Sequence, residues 1–436
     1  MTFLPLAQLF RAGRRPEHPV AWSAGAARTW GEFAAASAGV AAQARTLGGE
    51  PGAGSAERWV LACEDAWAFA AGFSGLLQAG RTVVVPPNFL PETLARFPGH
   101  RLLRNLPAPA EARPEAGILE GRVEFWTSGT TGEPKALVKT LAQLDAEVAV
   151  LEALFGARLT GGLVVGTLPH QHIYGCLFRV LWPLAAGRPL LSEPCGDPAS
   201  FLRALATMPA PALISSPAHL ARLPRLLDLE GLPRPAVIFS SGGPLEAADA
   251  AQWAGGVVEI YGSTETGGIA WRQQDGTPEA AFWTPFPDVA LSCDPDGALV
   301  VAGFRAGPAP QRMEDAAEPM AGGRFRLLGR LDRTLKLEEK RVSLPELEAA
   351  LQAHPLVARA AVALLPGPRP RLGAVVVLRD GAATAGAGRE LRRHLAGRFE
   401  AVALPRRWRF VAELPYDGRG KLTAQALTAL FGEARP

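Results

Sequence analysis

The sequence predicts an α/β fold, with a large N-terminal domain of mostly parallel sheets covered by helices and a small α+β C-terminal domain. Strand-like and helix-like segments alternate through the first three quarters of the chain, which is typical of parallel sheets. The 436 residues, 48% hydrophobic and 20% charged, are enough for two or three globular domains. Residues 333–436 contain 18 basic and 10 acidic residues, whereas residues 1–332 contain 27 and 32. We therefore place the domains at 1–331 and 332–436.

The N-terminal elements predict a strand, helix and strand in succession. Thr29 and Glu32 have the spacing of a capping box, so we expect a helix that ends at about Leu47. After a glycine-rich break, the pattern predicts a strand at 59–63, a helix at 66–79 and a strand at 81–85. Such a unit is typical of a parallel sheet with helices on its faces.

The same alternation continues along the chain. We expect helices at 141–155 and 177–184, and strands at 162–168, 212–216, 236–240 and 255–261. In the C-terminal domain, Ser343 and Glu346 have capping-box spacing and begin a helix. The α+β pattern is completed by strands at 360–365 and 374–378 and a basic helix at 390–399, and we find no internal repeat.

Four cysteines are scattered without the spacing of a metal site: Cys63, Cys176, Cys195 and Cys293. We interpret them as buried small side chains in a reducing compartment. No run of about 18 apolar residues predicts a membrane span, and the N-terminus lacks the pattern of a signal peptide. We therefore expect a cytoplasmic protein. We expect no nucleic-acid partner.

Of the 45 basic residues, five are lysines: Lys135, Lys139, Lys336, Lys340 and Lys421. Arginine does not replace a lysine where one compact charge must meet one oxygen atom, so each lysine is a candidate functional residue. We interpret Lys139 and Lys340 as ordinary remaining lysines without a special role.

A loop rich in glycine and hydroxyl groups follows a strand-like run at 123–125 and ends at Lys135. Gly129 and Gly132 let backbone amides approach a ligand closely, and Lys135 supplies a point charge. The hydroxyl donors of the loop are Thr127, Ser128, Thr130 and Thr131. This composition predicts a phosphate-binding loop, although it lacks the Gly-Lys-Ser/Thr ending of a Walker loop. An ordinary surface loop is the alternative.

Two further polar turns follow predicted strands. Ser241, Gly242 and Gly243 follow the strand at 236–240, and residues 262–265 follow the strand at 255–261. Ligands of doubly wound sheets bind at the carboxyl ends of the strands. We therefore expect these two turns and the phosphate loop to converge on one crevice.

Five stretches in fixed order resemble the adenylate-forming superfamily, which includes acyl- and aryl-CoA synthetases, carrier-protein adenylation domains and firefly luciferase. The stretches are 127–135, 241–244, 261–265, 329–332 and 420–421. The resemblance implies an enzyme that activates a carboxylic acid with ATP and Mg²⁺. It also implies a mobile C-terminal domain that rotates about a hinge near Asp332.

The resemblance gives each matching residue a role. The phosphate loop would hold the β- and γ-phosphates, with Lys135 on the leaving pyrophosphate. Thr264 would contact the α-phosphate, and the carboxylate of Glu265 would bind Mg²⁺. The adenine side of the site would be formed by Ser241, Gly242, Gly243, Gly262, Ser263 and Tyr261, with the tyrosine ring stacked on the base.

Three further roles follow from the resemblance. Asp315 and Arg330 match the ribose-binding pair by their separation of 15 positions, although Met313-Glu314 replaces the usual Thr-Gly. Lys421 matches the catalytic lysine. His172 would contact the substrate carboxylate or gate its pocket, and a structural histidine at a turn is the alternative.

The sequence departs from the family at Glu338 and Glu339, where family members have small residues beside the pantetheine arm. The thiol acceptor is therefore either CoA or the phosphopantetheine of an acyl carrier protein. A basic helical face with Arg389, Arg392 and Arg393 would suit an acidic carrier protein. An ordinary solvated face is the alternative.

Together these residues predict an ATP- and Mg²⁺-dependent acid–thiol ligase that acts on a fatty, hydroxylated or aromatic acid. The alternative is a catalytically reduced, nucleotide-binding regulator or scaffold with the same fold.

Overall fold

The computed structural model describes residues 2–23, 25–48, 57–113, 118–128, 134–159, 162–208, 210–337, 340–367, 370–379, 384–416 and 422–432. The contacts divide the chain into two units. The larger unit contains residues 1–290 and 301–311, and the smaller unit contains residues 291–300 and 312–436. The domain boundary between residues 331 and 332 stays a prediction.

The α-helices of the described residues are, in chain order, α1 (Leu6–Ala12), α2 (Trp30–Leu47), α3 (Ala66–Gln78), α4 (Pro91–Leu94), α5 (Leu141–Phe155), α6 (Ile173–Gly175), α7 (Trp182–Ala186), α8 (Pro198–Thr207), α9 (Pro217–Leu226), α10 (Ala247–Ala250), α11 (Leu344–Gln352), α12 (Ala387–Ala396) and α13 (Ala424–Gly432). A π-helix, Cys176–Leu181, lies between α6 and α7.

The strands are, in chain order, β1 (Pro19–Ser23), β2 (Ala26–Thr29), β3 (Arg58–Leu61), β4 (Thr82–Val85), β5 (Arg101–Leu103), β6 (Arg122–Ser128), β7 (Pro134–Thr140), β8 (Val164–Gly166), β9 (Leu190–Leu191), β10 (Ala212–Ser215), β11 (Val237–Ser240), β12 (Val257–Ser263), β13 (Gly267–Gln274), β14 (Thr284–Pro285), β15 (Ala290–Cys293), β16 (Ala298–Gly303), β17 (Gly307–Pro319), β18 (Phe325–Arg330), β19 (Thr334–Leu337), β20 (Lys340–Ser343), β21 (Val357–Leu365), β22 (Arg371–Leu378) and β23 (Arg407–Phe410).

Two mostly parallel sheets form the framework of the larger unit. The nine-stranded sheet has the order β14-β13-β12-β11-β10-β8-β9-β1-β2, and the five-stranded sheet has the order β5-β3-β4-β6-β7. The strands from β12 across to β1 pair in parallel, and antiparallel hairpins close both ends of that sheet. In the smaller sheet, β7 is antiparallel to β6, whereas β5, β3, β4 and β6 pair in parallel. The predicted fold class is confirmed.

The main hydrophobic core lies between these two sheets. It contains side chains from both of them, such as Phe125 of β6 and Phe239 of β11, and side chains from α3 and α5, such as Phe69 and Phe155. A second core covers the opposite face of the nine-stranded sheet, where Phe201 of α8 is fully buried. Helices therefore cover both faces of this parallel sheet, as burial of its apolar strands requires.

The smaller unit is α+β, as predicted. Strands β21, β22 and β23 form one sheet, and β19 pairs with β20. Leu347 of α11 and Leu391 of α12 pack with Val362 and Val376 of this sheet in one core. A four-stranded sheet, β15-β16-β17-β18, precedes these strands in the chain.

Two predicted helix starts are confirmed by their side-chain caps. Thr29 and Glu32 form the reciprocal capping box at the start of α2. Ser343 caps α11 by accepting a hydrogen bond from the backbone amide of Glu346. The helix predicted at 141–155 has the predicted limits.

Several predicted limits were wrong, and three of these elements lie near the predicted site residues. The strand predicted to end at Tyr261 continues to Ser263, because Gly262 and Ser263 pair with β13 across a hairpin. The strand predicted at 162–168 is shortened to Val164–Gly166. The helix predicted at 177–184 begins at Ile173, and its middle is a π-helix around the buried Arg179.

The cysteine prediction holds for three of the four residues. Cys63, Cys176 and Cys195 are buried, Cys293 is half-buried, and all four thiols are free. Within the described residues, no helix has both the length and the apolar character needed to cross a membrane.

Candidate active site

The two ends of the predicted phosphate loop lie on paired strands of the five-stranded sheet. Thr127 and Ser128 end β6 and pair with Lys135 and Pro134 of β7. Lys135 is exposed at the start of β7. Gly129, Thr130, Thr131 and Gly132 lie outside the described residues. The hairpin therefore presents Lys135 to solvent beside the loop.

The predicted adenine-side residues lie together on the nine-stranded sheet. Ser241 follows β11 and donates its hydroxyl to the carbonyl of Ile260 on β12, at 2.8 Å. Gly242 has a φ of +92°, a conformation that favours glycine, and both Gly242 and Gly243 are exposed. The Tyr261 ring packs against Trp283, with 5.7 Å between the ring centroids. The turn and the tyrosine therefore form one local surface.

A three-residue loop between β12 and β13 carries Thr264 and Glu265. The loop is short because Ser263 pairs directly with Gly267, whose φ of +73° closes the hairpin. The Ser263 and Thr266 side chains stabilise it, since each hydroxyl accepts a hydrogen bond from the other residue's backbone amide at 3.2 Å. The Glu265 side chain is exposed at the tip.

The three turns do not lie on one doubly wound sheet, and that expectation is corrected. The phosphate loop belongs to the five-stranded sheet, whereas the other two turns belong to the nine-stranded sheet. The two sheets meet at Lys139 of β7. Its ammonium donates to the carbonyl of Glu265 at 2.6 Å and to the carbonyl of Arg305 at 2.7 Å. The Glu265 loop therefore lies next to the strand that leaves the phosphate loop.

Four charged side chains are packed behind the Glu265 loop. Arg305 donates to both carboxylate oxygens of Asp288, at 2.6 and 2.8 Å. It also donates to the carbonyl of Gly268 at 2.8 Å. Glu147 of α5 accepts from the Gly268 amide at 2.6 Å and lies 3.5 Å from the Arg305 guanidinium. Lys139, Arg305 and Glu147 thus bond the loop or the start of β13, and Asp288 pairs with Arg305.

Burial is the largest influence on the pKa values of Lys139 and Glu147. It lowers the pKa of the Lys139 ammonium, and the nearby Glu147 opposes that shift. Burial raises the pKa of the Glu147 carboxyl, against the effect of Arg305. Lys139, Glu147 and Arg305 are 5%, 3% and 2% exposed. Desolvated charges of this kind are stable in a protein when they are paired and hydrogen-bonded.

His172, the residue predicted to contact the acid, lies directly before α6. Its side chain is half-buried. The Tyr174 ring lies 4.7 Å from the Phe178 ring, and burial raises the pKa of its hydroxyl, which lies near the Ser215 backbone. His170 is fully enclosed and contacts the carbonyl of Cys63 through Nε2 at 2.9 Å. His170 is therefore a structural histidine, whereas His172 remains a candidate.

The predicted ribose pair lies in the smaller unit. Asp315 of β17 is directly opposite Arg330 of β18 in the antiparallel register. The two residues are 15 positions apart in the sequence but adjacent in the structure, because β17 and β18 form an antiparallel pair. Asp332 lies in a 3₁₀ turn, Leu331–Arg333. Lys421, Glu338 and Glu339 lie outside the described residues.

The side chains present fit Mg²⁺ bound with a nucleotide. Within the described part of the chain, no group of three or more His, Cys, Asp or Glu residues is placed to hold a metal ion. Mg²⁺ commonly binds through one or two carboxylates together with phosphate oxygens and water. The exposed Glu265 carboxylate is suited to that arrangement.

Comparison with known proteins identifies the family. Residues 123–302 match the model of the AMP-binding enzyme, and residues 346–421 match that of the AMP-binding enzyme C-terminal domain. The 4-coumarate–CoA ligase of Rhodobacter capsulatus is 35% identical over 308 residues, covering 68% of this chain and 73% of that protein. The chain belongs to the AMP-binding, adenylate-forming enzyme family.

Other family members extend the comparison. A 4-chlorobenzoate–CoA ligase from an Arthrobacter species is 26% identical over 357 residues, which cover 71% of this chain and 66% of that protein. ATP-bound MatB from Rhodopseudomonas palustris has a TM-score of 0.78 at 20% identity and 96% coverage of both chains. A benzoate CoA ligase from Burkholderia xenovorans has a TM-score of 0.76 at 20% identity, with 96% and 97% coverage. The predicted resemblance and fold are confirmed.

Sequence reasoning missed the buried charges behind the Glu265 loop. The interpretation of Lys139 as an ordinary lysine is corrected, because its ammonium is buried and bonds two carbonyl groups. The small number of lysines in this chain could have indicated that Lys139 has a specific role. Glu147 was also visible, since it lies three positions after Leu144 and four before Leu151 on the apolar face of α5.

Proposed function

We propose that this chain joins an aromatic carboxylic acid to the thiol of CoA, with cleavage of ATP to AMP and pyrophosphate. Membership of the family and the CoA ligase names of its relatives support the reaction class. The observation that carries the proposal is the hydrogen bond from Lys139 to the Glu265 carbonyl. It joins the hairpin that bears Lys135 to the loop that bears Glu265, as an adenylation site requires.

In the first half-reaction, a carboxylate oxygen of the acid attacks the α-phosphorus of ATP, and the bond to pyrophosphate breaks. Lys135 and the amides of the phosphate loop would stabilise the negative charge on the leaving pyrophosphate. Lys421 would hold the carboxylate and an α-phosphate oxygen in line. Mg²⁺ held by Glu265 would supply further positive charge at the phosphates. The products are the acyl-adenylate and pyrophosphate.

The adenine and the ribose of the nucleotide would be bound by two different sets of residues. Ser241, Gly242 and Gly243 would contact adenine, and Tyr261 would stack on it, supported by the Trp283 ring. Asp315 and Arg330 would bind the ribose hydroxyls, a role that their direct pairing across β17 and β18 supports.

In the second half-reaction, the thiolate of the acceptor attacks the acyl carbonyl carbon, and AMP leaves with the electron pair of the broken bond. CoA is the acceptor that the relatives' names support. A carrier protein has weaker support. Arg389 and Arg393 are exposed, but Arg392 donates to the carbonyl of Pro405 at 2.8 Å within its own unit.

An aromatic acid is favoured over a fatty acid by two observations. Two of the relatives described above are named for coumarate and chlorobenzoate. The turn at His172 is followed by the half-buried ring of Tyr174, which packs on the buried Phe178 ring and would offer flat apolar surface for an aromatic ring.

The test is product analysis with the full chain, ATP, MgCl₂ and CoA. The panel contains 4-coumarate, benzoate, 4-chlorobenzoate and octanoate, and mass spectrometry measures acyl-CoA, AMP and ADP. We expect an aryl-CoA and one AMP for each thioester. Formation of ADP in place of AMP, or a thioester with octanoate alone, would contradict the proposal. A parallel reaction with a phosphopantetheinylated carrier protein determines the acceptor.

A further inference from the structure

Lys139 is a buried cation that bonds the backbone of the Glu265 loop. Its two hydrogen bonds go to the carbonyls of Glu265 and Arg305, at 2.6 and 2.7 Å. Because the contact is made with a backbone carbonyl, it restrains the backbone of the loop independently of the conformation of the Glu265 side chain. The Glu265 carboxylate itself is exposed beyond the anchored carbonyl.

The position of Lys139 on β7 makes it a link between two parts of the proposed site. Lys135, Leu137 and Lys139 lie on one face of β7, because alternate residues of a strand share a face. Lys135 adjoins the phosphate loop, and Lys139 reaches the Glu265 loop on the other sheet. One strand thus bears both the lysine proposed to contact pyrophosphate and the ammonium that bonds the backbone of the Glu265 loop.

The base of the same loop is held from behind by Glu147 and Arg305. Glu147 accepts from the Gly268 amide, and Arg305 donates to the Gly268 carbonyl. These bonds hold the first residues of β13, whereas Lys139 holds the tip. Both sets of bonds are needed to hold the loop, because a hairpin fixed only at its base still allows the three loop residues to move.

We propose that Lys139 is a positioning residue for adenylation, which holds the Glu265 carboxylate at the place where the magnesium ion and the ATP phosphates bind. The inference rests on the proposed function. A lysine suits this place because a compact ammonium has three donors and can meet two carbonyl oxygens in a closed space. A planar guanidinium needs more room, so Lys139→Arg is not a conservative change here.

The test measures equilibrium binding of ATP to the full chain by calorimetry, once with MgCl₂ and once with EDTA. Lys139→Met keeps an unbranched apolar side chain of nearly the same length but removes the donors. We expect binding of ATP with MgCl₂ to weaken by about 10- to 100-fold, the usual effect of removing a group that orients a metal ligand. Binding of ATP in EDTA should be unchanged. Val138→Met, on the exposed face of the same strand, is the matched control and should behave as the wild type.

A double-mutant cycle separates positioning from general support of the fold. If Lys139 acts through Glu265, then Lys139→Met should have little further effect on magnesium-dependent binding in a Glu265→Gln background. Equal effects of Lys139→Met in both backgrounds would contradict the proposal. Loss of the cooperative unfolding transition in Lys139→Met would also contradict it, because Lys139 would then be a requirement of the fold.

The same experiment distinguishes this inference from the proposed function. A wild-type chain that binds ATP no more tightly with MgCl₂ than with EDTA would count against the proposed function itself. A wild type that gains affinity from MgCl₂, together with a Lys139→Met variant that gains as much, would overturn the inference about Lys139 alone.

Discussion

His170 illustrates how burial changes the chemistry of one residue in this protein. The ring is packed 4.5 Å from the Phe69 ring and contacts the Cys63 carbonyl. Burial and the nearby Arg179 lower the pKa of His170 from 6.5 to about 3. The imidazole is therefore neutral in the folded protein at pH 5, whereas it is protonated in the unfolded chain.

This difference predicts a loss of stability in acid. Between pH 6.5 and pH 3 the unfolded state binds a proton at His170 that the folded state does not bind, so the free energy of unfolding falls as the pH falls. The expected loss from this residue is about 2 kcal/mol between pH 7 and pH 5. Urea denaturation of the wild type and His170→Gln at both pH values measures it. The variant should lose about 2 kcal/mol less; an equal loss would contradict the prediction. The same change at the half-buried His100 is the control.

At the residue scale, short sequence motifs indicated the candidate residues of the site but not the side chains that pack around them. Thr264, Glu265 and Lys135 lie in loops and at a strand start, where short polar motifs are informative. Lys139 and Glu147 carry out their interactions through contacts with residues more than 100 positions away. No local pattern specifies such contacts, since they depend on how two sheets pack.

At the scale of elements, the hairpin of β12 and β13 is closely packed against Glu147 at Gly267. Gly267 has a positive φ, and a Cβ atom there would lie 2.3 Å from the Glu147 carboxylate. Glycine is therefore favoured at position 267 for two reasons: the backbone conformation disfavours other residues, and the buried Glu147 leaves no room for a side chain.

The Gly267→Ala variant tests this requirement. A left-handed backbone costs alanine roughly 1–2 kcal/mol, and the clash with Glu147 should add a further ~1–3 kcal/mol. Gly276→Ala is the matched control, because Gly276 has a φ of +82° but a Cβ atom there would meet no atom within 4 Å. Thermal or urea unfolding should show the larger destabilisation in Gly267→Ala. Equal destabilisation would mean that Glu147 gives way at little cost.

The elements themselves were largely predictable. Capping residues fixed the starts of α2 and α11, and the alternation of strands and helices predicted the parallel sheets. The assignment of strands to two separate sheets was not predictable in the same way. Strand order depends on long-range pairing, and the pattern of a buried parallel strand is the same in either sheet.

At the scale of the whole molecule, we propose that the residues that act in the first half-reaction have no role in the second. In this proposal, Lys135 and Glu265 would serve the release of pyrophosphate, and Lys421 would serve the attack on ATP. None of these three residues has a proposed role in the attack of the thiol on the acyl-adenylate.

The division predicts a selective defect in Lys421→Ala. Removal of a charged donor that stabilises a transition state typically lowers the rate by ~10² to 10³. We expect a loss of this size in adenylation, measured by release of pyrophosphate with the acid identified by product analysis. Thioester formation from the supplied acyl-adenylate of that acid should stay near the wild-type rate. Equal loss in both half-reactions would contradict this assignment.

The most direct test of the acid–thiol ligase is acid-dependent exchange of labelled pyrophosphate into ATP by the wild-type chain. Exchange requires reversible formation of an acyl-adenylate and needs no thiol. We predict exchange that depends on both MgCl₂ and an aromatic acid, and that is lost in Glu265→Gln. A chain that binds ATP but supports no exchange with any acid of the panel would be a nucleotide-binding scaffold and would contradict the account.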